Sequence, residues 1–409
     1  MAPLDGVFWR LRSDPVLKPV VVALFHLDGV TDPAQLREWH ERTLLTDPRF
    51  SSRVGGTDRS PRWEPDPAFT LDDHVVRVPL AGAEASDQLV RELVSAPFTR
   101  DIPPWRAYVI DNPSAGTSLY LLKLTHAMAD GLRIVELITG RRAPATRTAD
   151  DAPAGNQPPT LRPLDRIGRW ARLVKAVAAP SGRPRHQLSG ARRHTFFEVP
   201  LAGLKAAGTA SGGTLNHALL AALTRGISRY RERTEGRRPT ALAALSAVAR
   251  STTGATKPAN DFIFVHLTLP VVDDSVEDHL RAVRAAIRST GDHDAVDWLG
   301  PASAIAPLLP TGLIRAGLKH FSASHDFVVS NIPAGRSTIA IGGRRVTAVF
   351  GVTPLSAAPM TITLVSYQDT CHITLNTDPA AGHDLPALVH DIRTSLQETI
   401  EWGVKRLDT

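Results

Sequence analysis

The sequence predicts an α/β (α+β) fold built as two comparable halves. Strand-like and helix-like segments follow one another along the chain. A stretch without apolar periodicity, RRAPATRTADDAPAGNQPPTLRP (141–163), interrupts them near the middle. The 409 residues, 43% of them hydrophobic, are enough for two domains with their own cores. We expect a first half over 1–140, a basic Pro/Ala/Arg-rich crossover over 141–193, and a second half over 194–409.

In the first half, VVVALFHLDG (20–29) reads as a strand ending at a turn. TDPAQLREWHERTLL (31–45) reads as a helix, capped by Thr31 or Asp32, with Pro33 suited to its first turn. SLYLLKLTH (118–126) is strand-like, and DGLRIVELITG (130–140) is helix-like and closed by Gly140. In the second half, TLNHALLAALTRGISRYRER (214–233) has helical apolar spacing, and FVVSN (327–331) reads as a strand. MTITLVSY (360–367) and CHITLNT (371–377) alternate as strands joined by Gln368, Asp369 and Thr370 in a hairpin. DLPALVHDIRTSLQETIEWGV (384–404) reads as a closing helix.

The net charge of +6 is uneven. Residues 141–193 hold eleven Arg and one Lys against three Asp, net +9, which leaves −3 for the rest. With no zinc-finger spacing, no Gly-aromatic RNA motif and few aromatics, nucleic-acid binding is not expected. A single cysteine, Cys371, excludes an intrachain disulfide. The opening MAPLDGVFWRLRSDP has no basic segment followed by an apolar run, and no apolar stretch reaches the ~20 residues of a membrane span. A cytoplasmic protein is expected.

The chemistry concentrates in LLKLTHAMADG (121–131). Strand alternation puts Thr125 on one face with Leu119, Leu121 and Lys123. His126 falls on the other with Tyr120, Leu122 and Leu124, if the strand runs that far. A neutral imidazole at 126 can take a proton from an attacking hydroxyl or amine and pass it to a leaving thiol. Asp130 can tie down the turn, and Gly131 lets the backbone pass closely. On spacing alone, a strand-end histidine before an Asp-Gly turn is the plainer reading. No set of His, Asp and Glu stands nearby at metal-ligand spacing, so no metal is expected.

Other segments add to the motif. PLDGVFWRL (3–11), DPRFSSRV (47–54), DIPPWRAYVID (101–111), LSGARRHTFFEVPLAGLKA (188–206), GGTLNHALLAAL (212–223), ANDFIFVHLTLP (259–270) and SNIPAG (330–335) occur in a fixed order. Together with LKLTHAMADG they make the chain resemble the bacterial wax ester synthase/diacylglycerol acyltransferase (WS/DGAT) family, nearly end to end. That family is a branch of the condensation-domain and chloramphenicol-acetyltransferase-like superfamily. The resemblance implies two chloramphenicol-acetyltransferase-like subdomains in a pseudo-dimer with a tunnel between them. Acyl-CoA would enter from one side as co-substrate, and a hydroxyl-bearing acceptor from the other. No further cofactor is implied. The resemblance makes His126 the general base and gives Asp130 and Gly131 a structural role. It places Thr125, Asn216, Ser330 and Asn331 as candidates to line the tunnel or hold an oxyanion. Asn216 also reads as a helix cap, Ser330 and Asn331 as turn residues before Pro333, and Trp105 as core.

The chain departs from the family pattern at three places: Thr125 stands for the first motif histidine, Pro104 for a leucine, and His217 for an aspartate, here read as pointing to solvent. These departures fit a specialised acceptor or an inactive homologue. Three functions follow. The first is an acyl-CoA-dependent O-acyltransferase. The second is a condensation-type enzyme drawing its acyl group from an acyl carrier protein and forming an amide. The third is a non-catalytic binding protein. LDRIGRWARLVKAV (164–177) carries Leu164, Ile167, Trp170, Leu173, Val174 and Val177 on one helical face amid Arg and Lys. It reads as a peripheral contact with the inner membrane, or as a surface helix packed on a subdomain.

Overall fold

The computed structural model describes residues 1–79, 85–98, 101–112, 114–140, 188–249, 259–260, 262–272, 275–294, 303 and 305–407. The amphipathic segment 164–177 and most of the crossover, 141–187, lie outside the described residues.

The first half runs α1 (Pro3–Arg10), β1 (Val20–Leu27), α2 (Pro33–Arg42), β2 (Ser52–Thr57), β3 (Ser60–Pro65), β4 (Val75–Pro79), α3 (Ala85–Ser95), β5 (Trp105–Asn112), β6 (Thr117–Thr125) and α4 (Gly131–Thr139). The second runs β7 (Arg193–Pro200), α5 (Leu201–Ala210), α6 (Leu215–Glu235), β8 (Ala241–Ala249), β9 (Phe262–Pro270), α7 (Val276–Asp294), α8 (Thr311–Ser322), β10 (Phe327–Gly335), β11 (Ala340–Ile341), β12 (Arg344–Val352), β13 (Met360–Tyr367), β14 (Thr370–Thr377) and α9 (Leu385–Leu407). The expected helix caps are present. Asp32 accepts from the backbone N–H groups of Ala34 and Gln35, and Gly140 closes α4 in the left-handed conformation.

Two six-stranded sheets result, ordered β11-β12-β1-β6-β5-β4 and β7-β14-β13-β10-β8-β9. The second half is not confined to its own sheet as the division at 194 implied. Residues 340–352 cross over, and β12 pairs antiparallel with β1, Val22 opposite Val352. Helices cover both faces of the first sheet, α2 and α4 on one and α3 on the other, and α6 and α9 pack on the second sheet. Leu388, Ile392 and Leu396 of α9 recur at helical spacing and join a core with Leu219 and Leu223 of α6 and Leu364 of β13. In the first sheet, Leu122 and Leu124 of β6 pack with Trp39 of α2 and Ile134 of α4. That cluster also takes in Ile332 and Val365 from the second sheet, so it binds the halves together.

The alternation read from β6 holds. Tyr120, Leu122 and Leu124 enter the cluster with α2 and α4, whereas Leu121 joins Val90 and Val94 of α3. Lys123 follows Leu121 and is 1% exposed. Its Nζ donates to the Leu93 carbonyl at 2.7 Å and to that of Ala96, at the C-terminal end of α3. Burial, with the charges of Lys18, Arg192 and Arg106, pushes its pKa down to about 7. An unfolded lysine titrates near about 10.4, so the unfolded chain binds the extra proton between those values. The lysine therefore costs most stability below pH 7, and the cost fades as pH rises toward 10. The Tm of Lys123→Met minus that of wild type should be more positive at pH 6 than at pH 9. Melting curves showing no trend, or the reverse one, would mean that Lys123 stays protonated throughout.

Candidate active site

The strand β6 ends at Thr125, one residue before His126, so the histidine stands on the turn that follows rather than on the strand. The turn is fixed at both ends. The His126 N–H donates to the Pro19 carbonyl at 2.7 Å, and the Met128 N–H returns to the Thr125 carbonyl at 2.9 Å. Ala127, Met128 and Ala129 are fully buried. Asp130 then caps α4, its Oδ1 accepting from the Arg133 N–H at 2.7 Å. Its own N–H donates to the Ala259 carbonyl in the second half at 3.1 Å. A Cβ on Gly131 would lie 2.4 Å from Ile332 Cδ1, so the bare glycine allows α4 to close on β10.

His126 lines a cavity of about 150 Å³ between the two halves. Its walls are chiefly apolar: Phe8 of α1, Val21 of β1, Phe264 of β9, Phe321 of α8 and Phe350 of β12. The Phe8 ring lies 4.7 Å from the imidazole centroid and that of Phe262 5.6 Å. Burial holds the histidine below its ordinary pKa, opposed in part by the charge of Asp130 and the contact with Asn260.

The Asn260 contact was not singled out from sequence. Asn260 Oδ1 lies 2.6 Å from His126 Nδ1. Its Nδ2 donates to the His126 carbonyl and to Asp5 Oδ1, both at 2.7 Å. Asp5 is 3% exposed, and burial raises its pKa to about 6 against the opposing pull of the Asn260 hydrogen bond and the Arg49 charge. Both residues sit in segments that carried the family resemblance, PLDGVFWRL and ANDFIFVHLTLP, which was the only available signal.

The structure gathers Asp130, Gly131, Ser330 and Asn331 around the cavity with His126. Thr125 and Asn216 are not among its lining residues. Thr125 is buried away from it, its Oγ1 without a hydrogen-bond partner among the described residues. Asn216 belongs to the first turn of α6. The expectation that His217 points to solvent is overturned. It is 2% exposed, and its Nδ1 accepts from the Thr214 N–H at 3.0 Å and lies 2.8 Å from Thr214 Oγ1, closing the start of α6. Trp105 is core as read, its Nε1 donating to the Phe50 carbonyl at 2.7 Å.

The chain is similar in sequence and in fold to several known proteins. A Mycobacterium tuberculosis H37Rv protein named as a diacylglycerol O-acyltransferase, Rv3087, is 28% identical over 432 residues, which span 91% of this chain and 90% of its own. The solved wax ester synthase/diacylglycerol acyltransferase from Marinobacter aquaeolei VT8 superposes with a TM-score of 0.68 at 17% identity, covering 98% of this chain and 99% of its own. A variant of the starter condensation domain of rhizomide synthetase, solved with C8-CoA and Leu-SNAC, gives 0.60 at 13% identity over 98% and 93%. The fold is thus the two-subdomain chloramphenicol-acetyltransferase-like one. Residues 1–174 match the wax ester synthase/diacylglycerol acyltransferase catalytic domain and residues 259–399 the WS/DGAT C-terminal domain, and the chain belongs to that family of O-acyltransferases.

Proposed function

We propose that the protein transfers an acyl group from acyl-CoA to a hydroxyl, forming an ester, with His126 as general base. One observation carries this reading: Nδ1 of His126 is engaged by Asn260, which leaves Nε2 as the nitrogen free to work in a cavity formed by both halves. The acceptor hydroxyl gives its proton to Nε2 as its oxygen attacks the thioester carbonyl. The tetrahedral intermediate carries its charge on the former carbonyl oxygen, for which the Ser330 hydroxyl and the Asn331 amide are candidate donors. Collapse breaks the C–S bond, and the proton on Nε2 passes to the leaving sulfur, giving free CoA thiol and the ester. The depressed pKa of His126 keeps the imidazole neutral and ready to accept near pH 7. The aromatic and aliphatic walls suit an acyl chain, since burying each methylene contributes about 0.8 kcal/mol.

A panel of acyl-CoA donors of graded length against long-chain alcohols, diacylglycerol and smaller hydroxylated acceptors, read by mass spectrometry, tests this. Ester formation with release of CoA is expected. Transfer only from a carrier-protein thioester, or an amide as sole product, would replace the proposal with a condensation-type reaction. No transfer from any donor would favour a binding protein. The panel is run on purified protein with vesicle-borne acceptors; among the described residues no helix is long and apolar enough to cross a membrane.

A further inference from the structure

We propose that Asp5 is a positioning residue for this reaction: through the Asn260 side chain it locks His126 in the tautomer that carries its proton on Nδ1 and leaves Nε2 free. The inference rests on the reading of His126 as base, and goes beyond it by assigning a role to the N-terminal helix.

The argument is a count of donors and acceptors. A neutral imidazole has one nitrogen that donates and one that accepts, and its neighbours decide which. Asn260 has one amide oxygen and two N–H bonds. Both N–H bonds are used on oxygens, one on the His126 carbonyl and one on Asp5 Oδ1, each at 2.7 Å. The amide oxygen is thereby turned toward His126 Nδ1 at 2.6 Å, and that nitrogen must supply the proton. A flipped amide would favour the opposite tautomer, with the proton on Nε2 and no base in the cavity. The flip would press the amide oxygen against the Asp5 carboxylate and the His126 carbonyl together. Leaving the bonds of a buried polar group unmade is costly. The carbonyl alone holds one N–H and leaves the amide able to pivot about that bond, and Asp5 supplies the second hold, which fixes the plane of the amide and with it the orientation of the imidazole.

The placement of Asp5 supports this. It sits on α1 one turn before Phe8, whose ring lies against the imidazole, so one short helix holds both the ring and the amide behind it. Asp5 has no cation within hydrogen-bond reach among the described residues. Arg49 and the chain's amino group act on it only through longer-range charge. Asp130 is the charge that acts on His126 itself. Above its raised pKa of about 6, Asp5 is a pure acceptor and the lock holds; below it, a protonated carboxyl can donate to a flipped amide.

The test uses the whole protein labelled with ¹⁵N at histidine, with the His126 signals assigned by their loss in His126→Gln. In wild type at pH 7.5, Nδ1 should appear protonated and Nε2 unprotonated. In Asp5→Ala, Nε2-protonated imidazole should appear, and kcat should fall about 10–100-fold while KM for acyl-CoA stays within about twofold, as for a misoriented rather than missing group. Asp5→Asn, which like the protonated carboxyl can donate as well as accept, should hold the amide only in part and give a tautomer ratio and kcat between those of wild type and Asp5→Ala. If the alanine variant does not fold, Asp5→Ser is read in its place, being polar but too short to reach Asn260. Wild-type kcat in Asp5→Ala, or a reduced kcat with the Nδ1-protonated tautomer unchanged, would overturn the role given to Asp5. Retained activity in His126→Gln would instead overturn the base on which it rests.

Discussion

His126→Ala lowers kcat about 10²–10⁴-fold, the usual contribution of a positioned general base, with the protein still folded by circular dichroism. Its ring lies against Phe8 and Phe262, which also line the cavity, so its loss enlarges that cavity rather than opening the core. Its Nδ1 contact is to Asn260, whose amide keeps its bonds to Asp5 and to the carbonyl of residue 126. Thr125→Ala, one residue away, should change kcat by less than about threefold. Thr125 ends β6 on the face of Leu121 and Lys123, is buried, and does not line the cavity. The pH profile sharpens the test. A base must be unprotonated to act, so activity should fall as pH drops through the His126 pKa. Burial sets that midpoint below the ordinary histidine value of about 6.5. A folded His126→Ala enzyme with near-wild-type turnover, or equal losses at 125 and 126, would rule out this base.

What could be read from the sequence was local. The apolar alternation of 118–125, the Asp-Gly turn and the helix after it are set by neighbours along the chain, and each appears where it was read. The strand end was misplaced by one residue, which matters because His126 owes its direction to the turn and not to pleat alternation. Asn260 lies 134 residues from His126 and Asp5 lies 255 residues from Asn260, and no spacing rule spans such separations. The crossing of β11 and β12 into the first sheet was equally hidden, since an alternating strand does not name its partner. His217 could have been found. Thr214 followed three residues later by a side chain with an acceptor is the pattern of a capping box, with histidine in the usual place of Glu or Gln. Asn216, one residue earlier, then projects about 100° around the helix from a side chain turned inward.

Asp47→Ala should destabilise the protein by about 1.5–3 kcal/mol in urea unfolding, the loss of the charge-assisted hydrogen bonds its buried carboxylate makes to two part-exposed arginines. Asp47 is 5% exposed. Its carboxylate accepts from the backbone N–H and Nε of Arg49 at 3.1 and 2.9 Å, and from Arg133 at 3.0 Å. Burial alone would raise its pKa. The hydrogen bonds and charges of Arg49, with Arg133, outweigh that and hold it below the usual carboxylate value. The sign of the pH dependence follows. The unfolded carboxyl titrates near about 3.9 and the folded one lower, so the stabilisation is present above the unfolded value and lost as pH falls through the folded one. The gap between wild type and Asp47→Ala should therefore hold from pH 7 to 5 and shrink below about pH 4. Arg133→Ala should cost less, because Arg133 is part exposed and Arg49 remains to pair the carboxylate. The pair also bears on chemistry. Arg133 lies on α4, whose first residues, Asp130 and Gly131, form one wall of the cavity. Loosening that helix should lower kcat in Asp47→Ala even at temperatures where the variant remains folded. Unfolding curves that superpose for wild type and Asp47→Ala would show that Arg49 and Arg133 find water instead, and that the anchor of α4 lies elsewhere.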